Sequence, residues 1–391
     1  MKLKKILIIC FLFFLIFQNY VLASNEERNS NLDIMSKHAI CIERSTEQVL
    51  FEKDSYTKCA MASTTKILTS IIVIENCNLN DIVEVSKKAA KIGGSTLGIS
   101  KGEKITVESL LYGLLLRSGN DTAVALAEFV CGSVENFSNI MNEKAKKIGL
   151  KNSNFVTPHG LDDDNHYTTA YDLAILTNYA LKNEIFKKIV STKEITINIG
   201  KNQRVLNNTN ELLGNVVGVY GVKTGFTGNA GRCLVTCCKR GDLDIIVVVL
   251  GADTKNIRGL DSKKIIEFIF SNYIMVDTKK EIENSFNYFK NINKIESVKS
   301  LRKIKINYKE REKYFCPIDK NKIKYLNTSF YCINKIEAPV FGKKIIGKMR
   351  LKCEDKILYE IDVFLENELI RINWRDYLKQ FVEKYITFYS I

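Results

Sequence analysis

The chain has 391 residues, 46% of them hydrophobic, enough for one large core and a second, smaller one rather than a single typical domain. Its 58 lysines and arginines outnumber 44 aspartates and glutamates, for a formal charge of +14 at pH 7. The basic excess is spread along the whole chain and accompanies no nucleic-acid motif, so nucleic acid is set aside as a partner in favour of anionic wall polymers or lipid headgroups.

Residues 1–23 read as a secretory signal peptide: Lys2, Lys4 and Lys5 precede the apolar residues 6–17, and Val21-Leu22-Ala23 forms a small-residue cleavage pattern. The apolar stretch is short for a membrane span, an uncleaved anchor being the alternative. Cys10 lacks the flanks of a lipoprotein site. Residues 24–275 are expected to form the main domain, with strands at 39–43 and 48–52, a helical middle, and strands again at 233–238 and 244–250. Strands framing a helical block predict an α+β fold. Residues 276–295 are polar and aperiodic and are expected to be a linker. Beyond them, 303–308, 348–353 and 357–364 alternate as short strands, giving a small β-rich domain over 296–371.

Residues 372–391 predict a C-terminal amphipathic helix. Trp374, Tyr377, Leu378, Phe381, Val382, Tyr385, Phe388 and Tyr389 fall on one stripe, opposite Arg375, Asp376, Lys379, Gln380, Glu383 and Lys384. Such a helix either lies in a membrane interface or docks on its own domain. Ten of the 11 cysteines lie outside the signal without the Cys-x-x-Cys spacing of a zinc site, so no metal and no catalytic cysteine is expected. Most sit in apolar runs that suit free buried thiols, and disulfides stay open.

Three short strings carry chemistry. Ser-x-x-Lys occurs at residues 55–58, 63–66 and 300–303, but only Ser63-Thr64-Thr65-Lys66 opens a long apolar run, residues 67–74, of the kind that forms a buried helix. On a helix, Lys66 shares the face of Ser63 and can take its proton, provided the lysine pKa falls toward the working pH. Burial, the positive end of the helix and a second cation would all push it down. The unpaired N–H of Ser63 at the helix start can help hold an oxyanion. Ser118-Gly119-Asn120 falls between helix-like stretches, where Ser118 can relay a proton and Asn120 can donate to a substrate amide. Lys223-Thr224-Gly225 precedes a β-like run. Lys223 and Thr224 can bind a carboxylate there, and Gly225 can admit the substrate close to the backbone.

In this order the strings resemble the motif set of the serine penicillin-binding proteins and β-lactamases. Residues 157–162, 166–174 and 221–227 narrow the resemblance to the D-alanyl-D-alanine carboxypeptidases of low molecular mass. It covers residues 39–273 well and continues more weakly through 338–347. The resemblance implies a serine β-lactamase/transpeptidase-like domain, an antiparallel sheet with a helical block, followed by a β-rich domain and a C-terminal membrane-associating helix. It also implies that Ser63 is acylated with Lys66 as base, that Ser118 and Asn120 complete the network, and that Lys223 and Thr224 receive the peptide carboxylate. Phe226 would share the oxyanion hole with Ser63. Gly119 stands where class A β-lactamases usually carry Asp, and no Glu-x-x-Leu-Asn string lies between Asn120 and Lys223, which argues against fast β-lactam hydrolysis.

The expected function is a cofactor-free serine-type D-Ala-D-Ala carboxypeptidase, acting on peptidoglycan stem peptides outside the cytoplasmic membrane and acylated by β-lactams. A DD-endopeptidase or slow β-lactamase on the same scaffold is an alternative. So is a non-hydrolytic β-lactam or muropeptide sensor, which would call for a signalling partner. With His38, His159 and His166 present, a Ser-His-Asp triad is open by count; His159 reads as structural and His166 as a capping or loop residue.

Overall fold

The apolar run at 67–74 lies in the helix Lys66–Asn76 (α1), buried from Lys66 to Ile74 in a computed structural model that describes residues 32–200, 202–292, 295–300 and 302–388. The expected signal segment, 1–23, lies outside the described residues. A helix buried on all faces must be surrounded. Helices Val107–Leu116 (α2), Asn120–Cys131 (α3), Val134–Ile148 (α4), Ala170–Ala180 (α5) and Glu184–Ser191 (α6) all pack on α1. Their starts are written in the sequence. Thr106, Ser133 and Thr169 cap α2, α4 and α5 by accepting from the N–H groups of Ser109, Asn136 and Asp172, each cap contributing about 1 kcal/mol.

The helices stand against a five-stranded antiparallel sheet of His38–Glu43 (β1), Val49–Lys53 (β2), Val219–Thr227 (β3), Gly231–Arg240 (β4) and Leu243–Ala252 (β5), in the order β2-β1-β5-β4-β3. Val247, Val248 and Val249 are all fully buried, so β5 is covered on both faces, which is why it reads as a continuous apolar run instead of an alternating one. Helix α5 packs on β1 and β5 and joins the helical block to the sheet. Strand β3 lies at the sheet edge, where its outer backbone groups face no other strand of that sheet. The helix Lys255–Asn272 (α7) follows.

The chain divides into two compact units between Ser271 and Asn272. The second begins with Tyr273–Asp277 (β6), paired antiparallel with Phe315–Asp319, and continues into the helix Lys279–Ile292 (α8). Its main sheet is four antiparallel strands in the order Ile306–Tyr308, Lys356–Leu365, Lys344–Cys353, Leu326–Cys332. The expectation of an aperiodic linker at 276–295 is corrected here. Ile282, Phe286 and Phe289 of α8 are buried in this unit's core, at helical spacing within a surround of Lys, Glu and Asn that hides the period from a reading of composition. The terminal helix runs over Trp374–Phe388 (α9), inside the expected 372–391, and 389–391 lie outside the described residues. The ten cysteines among the described residues form no disulfide with one another.

Phe137, on α4, is fully buried in the first unit's core. Phe137→Ala is expected to cost about 3–5 kcal/mol of stability, read as a lower urea midpoint for the unfolding of that unit.

Candidate active site

Ser63 was expected in the first turn of a helix; it sits instead in a 3-10 turn, Ala62–Thr65, that runs directly into α1. The tightening has a local cause. The hydroxyls of Thr64 and Thr65 donate back to the carbonyls of Met61 and Ala62 at 2.6 and 2.8 Å, closing the turn with side chains. Lys66 follows, fully buried, and its Nζ donates to Ser63 Oγ at 2.8 Å, to Asn120 Oδ1 at 2.7 Å and to the His159 carbonyl at 2.7 Å.

An ammonium has three donors, and all three are used. Burial, and then the nearby charge of Lys223, push Lys66 well below the usual lysine range, while Asp121 opposes them. A neutral amine keeps two N–H bonds and a lone pair. The Asn120 and His159 oxygens carry no hydrogen and must accept, so the lone pair is left for the Ser63 hydroxyl, the one partner that can reverse its role. The arrangement is suited to moving a proton from Ser63 Oγ to Lys66 Nζ.

Asn120 opens α3, and its orientation is fixed because Nδ2 donates to the Gly93 carbonyl at 2.7 Å, which turns Oδ1 toward Lys66. Next to it, the buried Asp121 carboxylate accepts from the backbone N–H groups of Leu97, Gly98 and Ile99 at 2.8, 2.7 and 3.2 Å, clasping the loop that leads from Gly93. Ser118 is buried with a φ of +65°, and its hydroxyl is not among the partners of Lys66.

On β3, Lys223 is 1% exposed, and burial together with the charge of Arg258 lowers it to about 7. Its Nζ donates to the Thr224 carbonyl at 2.9 Å. Arg258 is itself paired with Glu211 at 2.6 Å. The Thr224 hydroxyl shares a 2.7 Å hydrogen bond with that of Thr209. Gly225, expected to admit substrate, lies against the chain's own nucleophile turn: a Cβ there would stand 3.1 Å from both Ser63 N and Ala62 Cβ. A Cβ there would be tighter than most natural contacts, so the missing side chain eases the close approach of the edge strand. Phe226 is 52% exposed, with the Arg232 guanidinium 3.6 Å over its ring.

Ser63, Lys66 and Asn120 are thus joined by direct hydrogen bonds, Gly225 by close backbone approach, and Lys223 by charge. A Ser-His-Asp triad is absent among the described residues. His38 Nδ1 meets the Asp54 carbonyl, His159 Nδ1 accepts from Leu161 N–H, and His166 bonds Thr65 instead of capping α5, a role taken by Thr169. Burial holds His159 down at about 3, helped by the charge of Lys66, and His166 at about 4. The sequence reading missed the His159 carbonyl, Asp121 and the Arg258–Glu211 pair. A backbone carbonyl leaves no trace in residue identity, whereas Asp121, directly after Asn120 at a helix start, was a usable signal.

A family model described as D-alanyl-D-alanine carboxypeptidase matches residues 25–254. The D-alanyl-D-alanine carboxypeptidase DacF of Bacillus subtilis (strain 168) is 35% identical over 362 residues, covering 90% of this chain and 91% of that protein. Among solved structures, penicillin binding protein 5 from Haemophilus influenzae is similar with a TM-score of 0.73 and 27% identity, over 88% of this chain and 99% of that one. The Streptomyces K15 DD-transpeptidase is similar with a TM-score of 0.59 and 32% identity, over 62% of this chain and 99% of that one.

Removing the second cation tests the electrostatics directly. In Lys223→Met the Lys66 ammonium loses a like-charged neighbour, so its titration, followed by NMR of labelled lysine, is expected to move to higher pH than in the unsubstituted protein.

Proposed function

This chain belongs to the D-alanyl-D-alanine carboxypeptidase family, and on that premise we propose that it is a serine-type enzyme that removes the terminal D-alanine of peptidoglycan stem peptides through an acyl-enzyme on Ser63. The observation that carries the reading is the Lys66 amine, 2.8 Å from Ser63 Oγ with its other two donors committed to oxygens that can only accept.

A peptide laid along the free edge of β3 would place its carboxylate at Lys223 and Thr224. Its scissile carbonyl would then lie between Ser63 Oγ and the backbone N–H groups of Ser63 and Phe226. Neutral Lys66 takes the proton as Ser63 Oγ bonds to the carbonyl carbon, and the two N–H groups stabilise the oxyanion. When the C–N bond breaks, the departing D-alanine amine takes that proton back, with Ser118 and Asn120 ordering the path. Water then attacks the ester carbonyl as Lys66 takes one of its protons, and Lys66 returns that proton to Ser63 Oγ as the ester C–O bond breaks and the shortened peptide leaves. The strained amide of a β-lactam would acylate the same oxygen.

The place of action in this reading is the outer face of the cytoplasmic membrane, reached through the signal at 1–23. Among the described residues no helix is long and apolar enough to cross a membrane. Helix α9 instead exposes Trp374, Tyr377, Leu378, Phe381 and Val382, the composition of a helix that lies in the interface. In this reading the first unit, which ends at Ser271, is the catalytic domain, and the 372–391 segment at the end of the β-rich second unit is a surface anchor.

Purified protein is expected to release D-alanine from diacetyl-Lys-D-Ala-D-Ala and to be labelled by a fluorescent penicillin, both activities falling by at least about a thousandfold in Ser63→Ala and Lys66→Ala. Labelling without D-alanine release would favour the sensor, or an amine in place of water as acceptor; no labelling would sink the proposal. Deleting residues 372–391 is expected to abolish co-sedimentation with phosphatidylethanolamine and phosphatidylglycerol vesicles while leaving penicillin labelling intact.

A further inference from the structure

His166 is a buried side chain, 3% exposed, that the proposed chemistry leaves without a role. Its ring is engaged on both edges. Nδ1 accepts from the backbone N–H groups of Val156 and Thr157 at 2.9 and 3.3 Å. With Nδ1 accepting, the neutral ring carries its proton on Nε2, which donates to Thr65 Oγ1 at 2.8 Å. The Thr65 hydroxyl in turn donates to the Ala62 carbonyl at 2.8 Å. Ala62 directly precedes Ser63 and has a φ of +48°, a conformation that costs an alanine energy and persists only where its surroundings hold it.

The other edge of the ring holds the loop that serves Lys66. That loop presents the His159 carbonyl to Lys66 Nζ at 2.7 Å, and at Gly160 it packs so tightly on Ala62 that a Cβ would stand 2.0 Å from the Ala62 carbonyl. One imidazole therefore bridges the turn that carries the nucleophile and the loop that orients the base. Neither hydrogen-bonded edge of the ring is spare, and Phe155 packs edge-on against it at 5.8 Å.

We propose that His166 is a positioning residue for acylation, acting through Thr65 and through the backbone at 156–157 to hold Ser63 and Lys66 at the spacing that proton transfer needs. This rests on the carboxypeptidase reading, since it assigns a purpose to that spacing. His166 is buried and acts through the segments it bridges. A buried histidine that only stabilises the fold would affect stability but not the reactivity of the folded molecules, and the two edges of the ring allow that difference to be measured.

The test uses the full-length protein in detergent with a fluorescent penicillin, reading the second-order acylation rate constant per titrated active site alongside the urea midpoint. Thr65→Val removes the middle of the relay while keeping its shape, and Thr65→Ser restores the hydroxyl. His166→Asn keeps an acceptor near Nδ1 and gives up the reach to Thr65, whereas His166→Gln keeps a donor toward Thr65. Thr65→Val and His166→Asn are expected to slow acylation by about 10–100-fold, the scale of a small misplacement of reacting groups, with Thr65→Ser and His166→Gln recovering most of the rate. If the variants lower the urea midpoint but acylate at the unsubstituted rate, or if Thr65→Ser is as slow as Thr65→Val, the inference is overturned. If the unsubstituted protein is not labelled at all, the carboxypeptidase reading falls and takes this inference with it.

Discussion

A lysine amine sealed from solvent and bonded to three oxygens from separate parts of the chain is the constraint around which the first unit is arranged. Taking a charge out of water costs several kcal/mol unless it is matched, and the usual response is for the group to give up the charge. Lys66 is placed where that response is favoured. Burial and Lys223 act against the ammonium, and Asp121 limits the shift without reversing it. The oxygens around the amine come from the 3-10 turn, from the start of α3 and from the loop at 157–160, so the amine's satisfaction depends on all of them meeting correctly.

What makes them meet is a small number of close approaches. Helix α1 is buried from Lys66 to Ile74 and packs against five helices of the block, which fixes the start of the helix, and hence Lys66, relative to α3. Strand β3 comes to the nucleophile turn from the sheet side, and the absence of a Cβ at Gly225 eases its approach. Gly160 closes from the loop side in the same way, with a φ of +84° that also favours glycine. Ala62 is pressed between these elements and takes up a left-handed conformation that its own sequence does not favour. The strain is local to the residue before Ser63, and the hydroxyl of Thr65 and the ring of His166 hold it.

The second unit follows a different rule. Its core combines a four-stranded sheet with the apolar face of α8. On α9 the aromatic residues Trp374, Tyr377 and Phe381 are exposed. Amphipathic helices behave differently according to what covers their apolar face. In α8 that face is buried in the unit's own core, while the described aromatic residues of α9 remain open to solvent.

By itself the sequence determined the elements whose residues carry their own local signal. The buried helical run at 67–74, the apolar strands β4 and β5, and the three strings whose Ser63, Lys66, Asn120 and Lys223 the fold brings near one another were legible, because hydrophobic patterning and charge are properties of residue type. The sequence concealed α8, whose three buried apolar residues are outnumbered by polar neighbours, and it misplaced Ser63 by one turn. Tertiary structure alone decided that Gly225 makes room for the chain's own turn, that the third partner of Lys66 is the carbonyl of His159 and not a side chain, and that His166 spans two segments distant in sequence. Those outcomes depend on backbone atoms and on distances between remote segments, which every residue shares or none encodes, so no reading of side-chain identity could have supplied them.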